Sequence, residues 1–302
     1  MALQDEHKIN GLMKYIEPDA TVRTIDVISS GFMNNSYRVH VQHKTQGDTA
    51  YIVKVYSGNN TERASKEHNI LSFLQSIDDI PTPEVTFFDL DAPVFHSPVL
   101  ITRMIDGKTI LAHPPTPEWE EKAPIIAKTL AGIHSITCPD DLQLILPDAT
   151  QFHTKFLNDG LCPDYLQAYP DGKRIWQLIH DTIGTIAVVS SVCVHGDYWS
   201  GNFLWDTGGQ LAAVLDWELA CYGDASFDIA YCMMEMKISG MYQAAGTFLS
   251  TYGSHSKYPV RSLAFCELAI ATIPMKQGAP YLNDPIIGKR YRAFVQDAID
   301  RL

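Results

Sequence analysis

Close cysteine pairs are missing from this chain. Its six cysteines, at positions 138, 162, 193, 221, 232 and 266, are scattered through 302 residues. That spacing argues against a disulfide framework or a zinc site and favours reduced thiols in a cytosol. Basic charge is scarce as well: 23 Lys and Arg stand against 35 Asp and Glu, a net charge of −12. Phosphate backbones are bound through basic patches, so nucleic acid is not an expected partner. Long apolar runs are also lacking. The most apolar segment, Ile183 to Val194, is interrupted by Gly184 and by serines, and falls short of the ~20 residues a membrane span requires. The first residues, MALQDEHKIN, mix both signs of charge and do not read as a signal peptide. A cytoplasmic protein without a membrane partner is the expectation. No repeat or low-complexity tract is visible.

What remains is ordinary globular composition, with 46% hydrophobic and 19% charged residues, and length enough for two lobes with separate cores. Short β-branched or aromatic runs predict strands over Thr24–Ser29, Tyr37–Gln42, Ala50–Tyr56, Val85–Phe88 and Val99–Met104. A helix is expected over Glu62–Ile77 on the spacing of Ile70, Leu71 and Leu74. Beyond a hinge at Ile105–Lys108 the pattern turns helical. Thr116 and Pro117 form an N-cap and first-turn pair opening a helix towards Ile136. Further helices are predicted over 174–189, 227–237, 241–252, 262–273 and 285–299. The composition shift divides the chain into residues 1–104, an α+β lobe, and 105–302, a mostly helical lobe. Residues 1–110 hold 10 basic against 14 acidic side chains, and residues 111–302 hold 13 against 21. The larger acidic excess in the second part either attracts a cationic acceptor or merely solubilises a surface.

One stretch carries the chemistry: VHGDYWSGNFLWDTGGQLAAVLDWELACYGDASFD, residues 194–228. A His195-Gly196-Asp197 turn is followed after four residues by Asn202. Two β-type runs, Phe203–Trp205 and Leu211–Leu215, flank the turn-forming Asp206-Thr207-Gly208-Gly209. The hairpin ends at Asp216-Trp217-Glu218, so Asn202 and Asp216 are expected at one end of its ladder, near Asp197. Two carboxylates and an amide suit a divalent ion and a hydroxyl. Asp197 is the candidate catalytic carboxylate, and Asn202 and Asp216 the candidate metal ligands. His195 either moves a proton or pins the loop. Lys54 in the strand YIVKVY and Glu67 on the next helix form a candidate pair for phosphate oxygens. The loop Gly31, Phe32, Met33, Asn34, Asn35 and Ser36 offers amides and small polar side chains to phosphates. Either Asp224 or Asp228 braces the loop or caps a helix. Trp199, Trp205 and Trp217 read as packing, and Glu218 as a group behind the metal or a helix start.

In the order of these motifs the chain resembles the aminoglycoside phosphotransferase and choline kinase superfamily, over nearly its whole length. The resemblance implies a bilobal protein-kinase-like fold, with a β-rich, nucleotide-binding N-lobe containing one main helix and a catalytic, acceptor-binding helical C-lobe. It implies ATP and Mg²⁺ as cofactors, Asp197 as base, and Lys54 oriented by Glu67. The backbone of Arg103, Met104 and Ile105 would face the adenine. Gly196 and Trp217-Glu218 replace the Arg and Phe-Gly of protein kinases, and no Ala-Pro-Glu segment follows, which points to the small-molecule branch. The expected reaction is phosphorylation of a hydroxyl on a small molecule, either an antibiotic or a choline-, fructosamine- or homoserine-like metabolite. The alternatives from other classes are a non-catalytic nucleotide-binding pseudokinase and a metal-dependent hydrolase built on His195, Asp197 and Asp216.

Overall fold

The computed structural model describes residues 3–30, 34–43, 47–57, 60–77, 79–186 and 191–302. The chain forms two compact units, one of residues 1–107 with 212–218 and one of 108–211 with 219–302.

The first unit is built on a five-stranded antiparallel sheet: β1 (Ala20–Ser30), β2 (Asn34–His43), β3 (Gly47–Tyr56), β4 (Val85–Asp89) and β5 (Val99–Arg103), in the order β1-β2-β3-β5-β4. Strict alternation explains its buried face. Tyr37, Val39 and Val41 of β2, with Tyr51, Val53 and Val55 of β3, all enter one core. That core is closed by α1 (Leu3–Ile16), whose Ile9, Leu12 and Met13 are essentially inaccessible. This helix is absent from the expectation drawn on the sequence. Its apolar residues sit at i, i+3 and i+4 among charged neighbours, a stripe too short to stand out. Helix α2 (Thr61–Leu74) lies against β4 and β5, and its buried stripe of Ala64, Ile70, Leu71 and Leu74 includes one charged residue, Glu67. The strand β2 also begins earlier than predicted. Asn34, Asn35 and Ser36 pair with Tyr56, Val55 and Lys54, because ladder bonds outweigh the turn preference of Asn and Ser.

The second unit holds α3 (Glu118–His134), the short helices α4 (Asp140–Ile145), α5 (Ala149–His153) and α6 (Asp164–Gln167), then α7 (Gly172–Ile183), α8 (Ser226–Ser239), α9 (Tyr242–His255), α10 (Leu263–Gln277) and α11 (Ile287–Arg301). Helix α8 is central. It is buried nearly all round, packing on α9, α10 and α11, as a helix hydrophobic on every face must. Thr116 does not cap α3. The helix starts after Pro117, and the buried Thr116 hydroxyl has no partner among the described residues. Two small ladders complete this unit: β6 (Lys108–Thr109) pairs with β8 (Phe203–Trp205), and β7 (Val192–Val194) pairs with β10 (Cys221–Gly223); β9 (Leu211–Val214) comes between β8 and β10 in the chain. The Asp206–Gln210 turn closes as expected, Asp206 N–H reaching the Gln210 carbonyl at 3.0 Å.

Candidate active site

In the first unit, β3 carries Lys54 on the face opposite Val53 and Val55, in register with Ser36 and Leu100. The Lys54 ammonium meets three carboxylates: Glu67 at 2.8 Å, Asp216 at 2.8 Å and Glu218 at 3.2 Å. Burial alone would lower its pKa, but Glu67 and then the other neighbouring charges raise it well above the ordinary lysine value. Tyr56 donates its hydroxyl to Glu67 from the next inward position. Glu218 is more than a helix start: it accepts from Arg63 of α2 at 3.0 Å and from the Asn34 amide at 3.0 Å. Asp216 adopts a left-handed backbone, φ 63°, which an Asp tolerates better than most residues. The Glu67, Asp216 and Glu218 carboxylate oxygens lie within 4.8 Å of one another. Such hard oxygen donors fit a cation of the Mg²⁺ type.

In the second unit the β7–β10 ladder delivers the loop 195–202. His195 is fully buried and its Nδ1 accepts the Asp197 amide at 3.2 Å, so the ring pins the turn. Gly196 has φ +82°, and a Cβ there would lie 2.2 Å from the Leu219 carbonyl oxygen. Only glycine fits. The brace is Asp228, not Asp224. Its carboxylate accepts the His195 amide at 2.7 Å, the Gly196 amide at 2.8 Å and His134 Nε2 at 3.1 Å. Burial pushes the Asp228 pKa up, but the His134 hydrogen bond and charge, with the His195 contacts, hold it below the usual value. Asp224 instead accepts from the Ser226 N–H at the start of α8 and from the hydroxyl of Ser262, the residue before α10.

Asp197 is clasped at its carboxylate. Asn202 Nδ2 donates to its Oδ2 at 2.9 Å and to its carbonyl at 2.8 Å, which leaves the Asn202 Oδ1 as the end able to ligate a cation. Trp199 Nε1 donates to the same Oδ2 at 3.2 Å, so this tryptophan does more than pack. Trp205 and Trp217 are fully buried. Tyr231 of α8 lies near Asp197: burial and then the Asp197 charge push its pKa up. Glu235, one turn on, accepts from Ser200. Neither α8 residue was foreseen, since nothing in the sequence marks two helical positions some 35 residues past the motif.

The remaining predicted positions divide. Gly31 lies outside the described residues, with Phe32 and Met33. Asn34, Asn35 and Ser36 are strand residues rather than loop, and the Ser36 hydroxyl donates to Asn34 Oδ1 at 3.4 Å. Arg103 ends β5 with its guanidinium on Glu84 at 2.8 Å. The Met104 amide is bonded to the Ala50 carbonyl at 2.9 Å, so it reaches a base only if that bond opens. Ile105 follows without regular structure.

A β-rich unit with a lysine–glutamate pair on adjacent strand and helix, and a helical unit with a pinned His-Gly-Asp loop, define the α+β, protein-kinase-like phosphotransferases. A profile of the phosphotransferase enzyme family matches residues 24–259, and the chain belongs to that family. It is thus a phosphotransferase of the small-molecule kinase class. Among curated relatives it is similar to 4-hydroxytryptamine kinase of Psilocybe cubensis, 23% identical over 83% of this chain and 80% of that one. Among solved structures it is similar to choline kinase LicA from Streptococcus pneumoniae, with TM-score 0.69 and 19% identity, covering 98% of this chain and 99% of that one. The GDP complex of aminoglycoside 2'-phosphotransferase-IIIa aligns with TM-score 0.64 and 14% identity over 99% and 100%.

Proposed function

We propose that this chain transfers the γ-phosphoryl group of ATP to a hydroxyl of a small, cationic molecule in the presence of Mg²⁺. The observation that carries the reading is the Lys54 ammonium held at 2.8 Å from both Glu67 and Asp216. A cation so fixed suits phosphate oxygens, and it has no other evident purpose in a sheet. Asp197 accepts the proton of the acceptor hydroxyl while the new O–P bond forms and the bond to the leaving ADP breaks. Asn202 and Asp216 would hold the metal, whose part is to neutralise charge on the transferring phosphate. Residues 1–104 are assigned to the nucleotide and 105–302 to catalysis and the acceptor. Arg103, Met104 and Ile105 are assigned to the adenine side.

A cationic acceptor is favoured by what surrounds Asp197. Glu235 adds a second acidic group felt by Asp197, and the rings of Trp199, Tyr231 and Tyr281 lie about the two carboxylates. Acidic and aromatic groups together suit an ammonium ion. The names of two similar proteins, a choline kinase and a 4-hydroxytryptamine kinase, accord with that class. The test is ADP formation from Mg·ATP, and from Mg·GTP in parallel, across hydroxylated amines, aminoglycosides and neutral sugars. Turnover confined to amines, abolished in Asp197→Ala with nucleotide affinity retained, is the expected result. Full activity in that variant removes Asp197 from its role, and turnover of neutral sugars alone removes the cationic acceptor.

A further inference from the structure

Three residues of α8 fall on one stripe, at i, i+3 and i+7, and all three touch the loop 195–202. Asp228 takes the His195 and Gly196 amides, Tyr231 feels the Asp197 charge, and Glu235 takes Ser200. The last contact is double. Ser200 N–H donates to Glu235 Oε2 at 2.8 Å, and the Ser200 hydroxyl donates to Oε1. The same hydroxyl oxygen accepts the Ala112 amide at 2.9 Å, and Ser200 is fully buried. Ser200 stands midway between Asp197 and Asn202, so whatever fixes it fixes the spacing of those two.

We propose that Glu235 is a positioning residue: its ionised carboxylate, by accepting both donors of Ser200, holds the loop between Asp197 and Asn202 in its working geometry, and the loop loosens when that carboxylate takes a proton. An ionised carboxylate only accepts, which matches two donors. A carboxyl protonated on Oε1 meets the Ser200 oxygen as a donor, and the fully buried Ser200 O–H then loses its acceptor; one protonated on Oε2 faces the Ser200 N–H donor to donor. The proton is within ordinary reach. Burial raises the Glu235 pKa to about 7, Asp197 adding to the rise and the two Ser200 bonds opposing it. The titratable groups that face it are Asp197 and, with their pKa values raised in turn, Tyr231 and Cys232 on α8 and Tyr281 on the segment Pro280–Asn283.

The effect on catalysis rests on the role proposed for Asp197, but the effect on the loop does not, which makes the two separable. Hydrogen–deuterium exchange of the peptide covering residues 195–205 is followed in the whole protein between about pH 6 and 8, corrected for intrinsic exchange. The wild-type protein should lose about tenfold in protection as pH falls through a midpoint near 7. Glu235→Gln and Ser200→Ala should each give a profile without that midpoint. ADP release from Mg·ATP, with water as acceptor, should show the same midpoint in kcat and lose it in both variants. A flat wild-type exchange profile, or an unshifted midpoint in Glu235→Gln, overturns the proposal. So does a Glu235→Gln variant that keeps its kcat profile and changes only the KM of an added amine acceptor. Normal exchange profiles in a protein with no turnover at all would count against the kinase reading and leave the clamp standing.

Discussion

Lys54 sits among more negative charge than it can balance. Removing it leaves Glu67 buried beside Asp216 and Glu218 with no ammonium, and an uncompensated buried carboxylate is costly. Lys54→Met should lose about 3 kcal/mol in urea denaturation, and adding Glu67→Met should recover part of it. A double variant no more stable than the single one would mean that Glu67 gains little from the lysine. At Gly196 the constraint is steric. A methyl group placed 2.2 Å from the Leu219 oxygen, at φ +82°, must displace the turn that presents Asp197. Gly196→Ala should therefore cost about 2 kcal/mol or more and abolish turnover, both read from one purified preparation. Gly196 was legible because a turn of that sharpness needs positive φ, and Asp197 and Asn202 were legible because a fixed local spacing defines them. Arg63 and Glu235 were not, because each meets its partner across more than 30 residues on a helix with no local marker.

At the level of elements, α1 has a thermodynamic consequence out of proportion to its polar appearance. Leu12 is fully buried against β2, β3 and β5, so Leu12→Ala should cost about 3 kcal/mol in urea denaturation. A loss under about 1 kcal/mol would imply that the helix is peripheral to the core. The strands of the sheet were readable because side chains alternate with period two, α8 and α10 because apolar residues run along most of their length, and α11 because Tyr291, Phe294, Val295, Ala298 and Ile299 recur at helical spacing. The start of β2 was misread for a physical reason. Asn and Ser favour turns in isolation, but at Asn34 to Ser36 the ladder to β3 supplies partners for the backbone. The helices α4, α5 and α6 span only four to six residues each, too few for a 3.6-residue period to register.

Over the whole molecule, two buried groups set opposing responses to acid. His153 is stacked on Phe227 with ring centroids 4.5 Å apart, and burial lowers its pKa from 6.5 to about 4 despite the pull of Asp228. Between those values the unfolded chain binds a proton that the folded chain refuses, so stability falls as pH drops from 6.5 towards 4, by up to about 3 kcal/mol. Glu235 works the other way. Its pKa is raised from 4.5 to about 7, so between those values the folded chain holds the extra proton and stability rises as pH drops. His153→Phe should lessen the loss of stability on going from pH 6.5 to 4.5, and Glu235→Gln should deepen it. Urea midpoints across that range check both signs, and changes of like sign in the two variants would contradict the assignment.

The cluster at Lys54 has one more implication, for the order in which ligands arrive. Lys54 and Arg63 bring two positive charges to Glu67, Asp216 and Glu218, which bring three negative ones. A bare triphosphate approaching that cluster would be repelled and would have to strip the lysine from its carboxylates. On the proposed function, a triphosphate already carrying magnesium would present less negative charge and would offer Asp216 a replacement counterion in the same encounter. Chelating the ion should accordingly weaken nucleotide capture itself, not merely the chemistry that follows, and titration calorimetry of ATP with and without EDTA would register the difference.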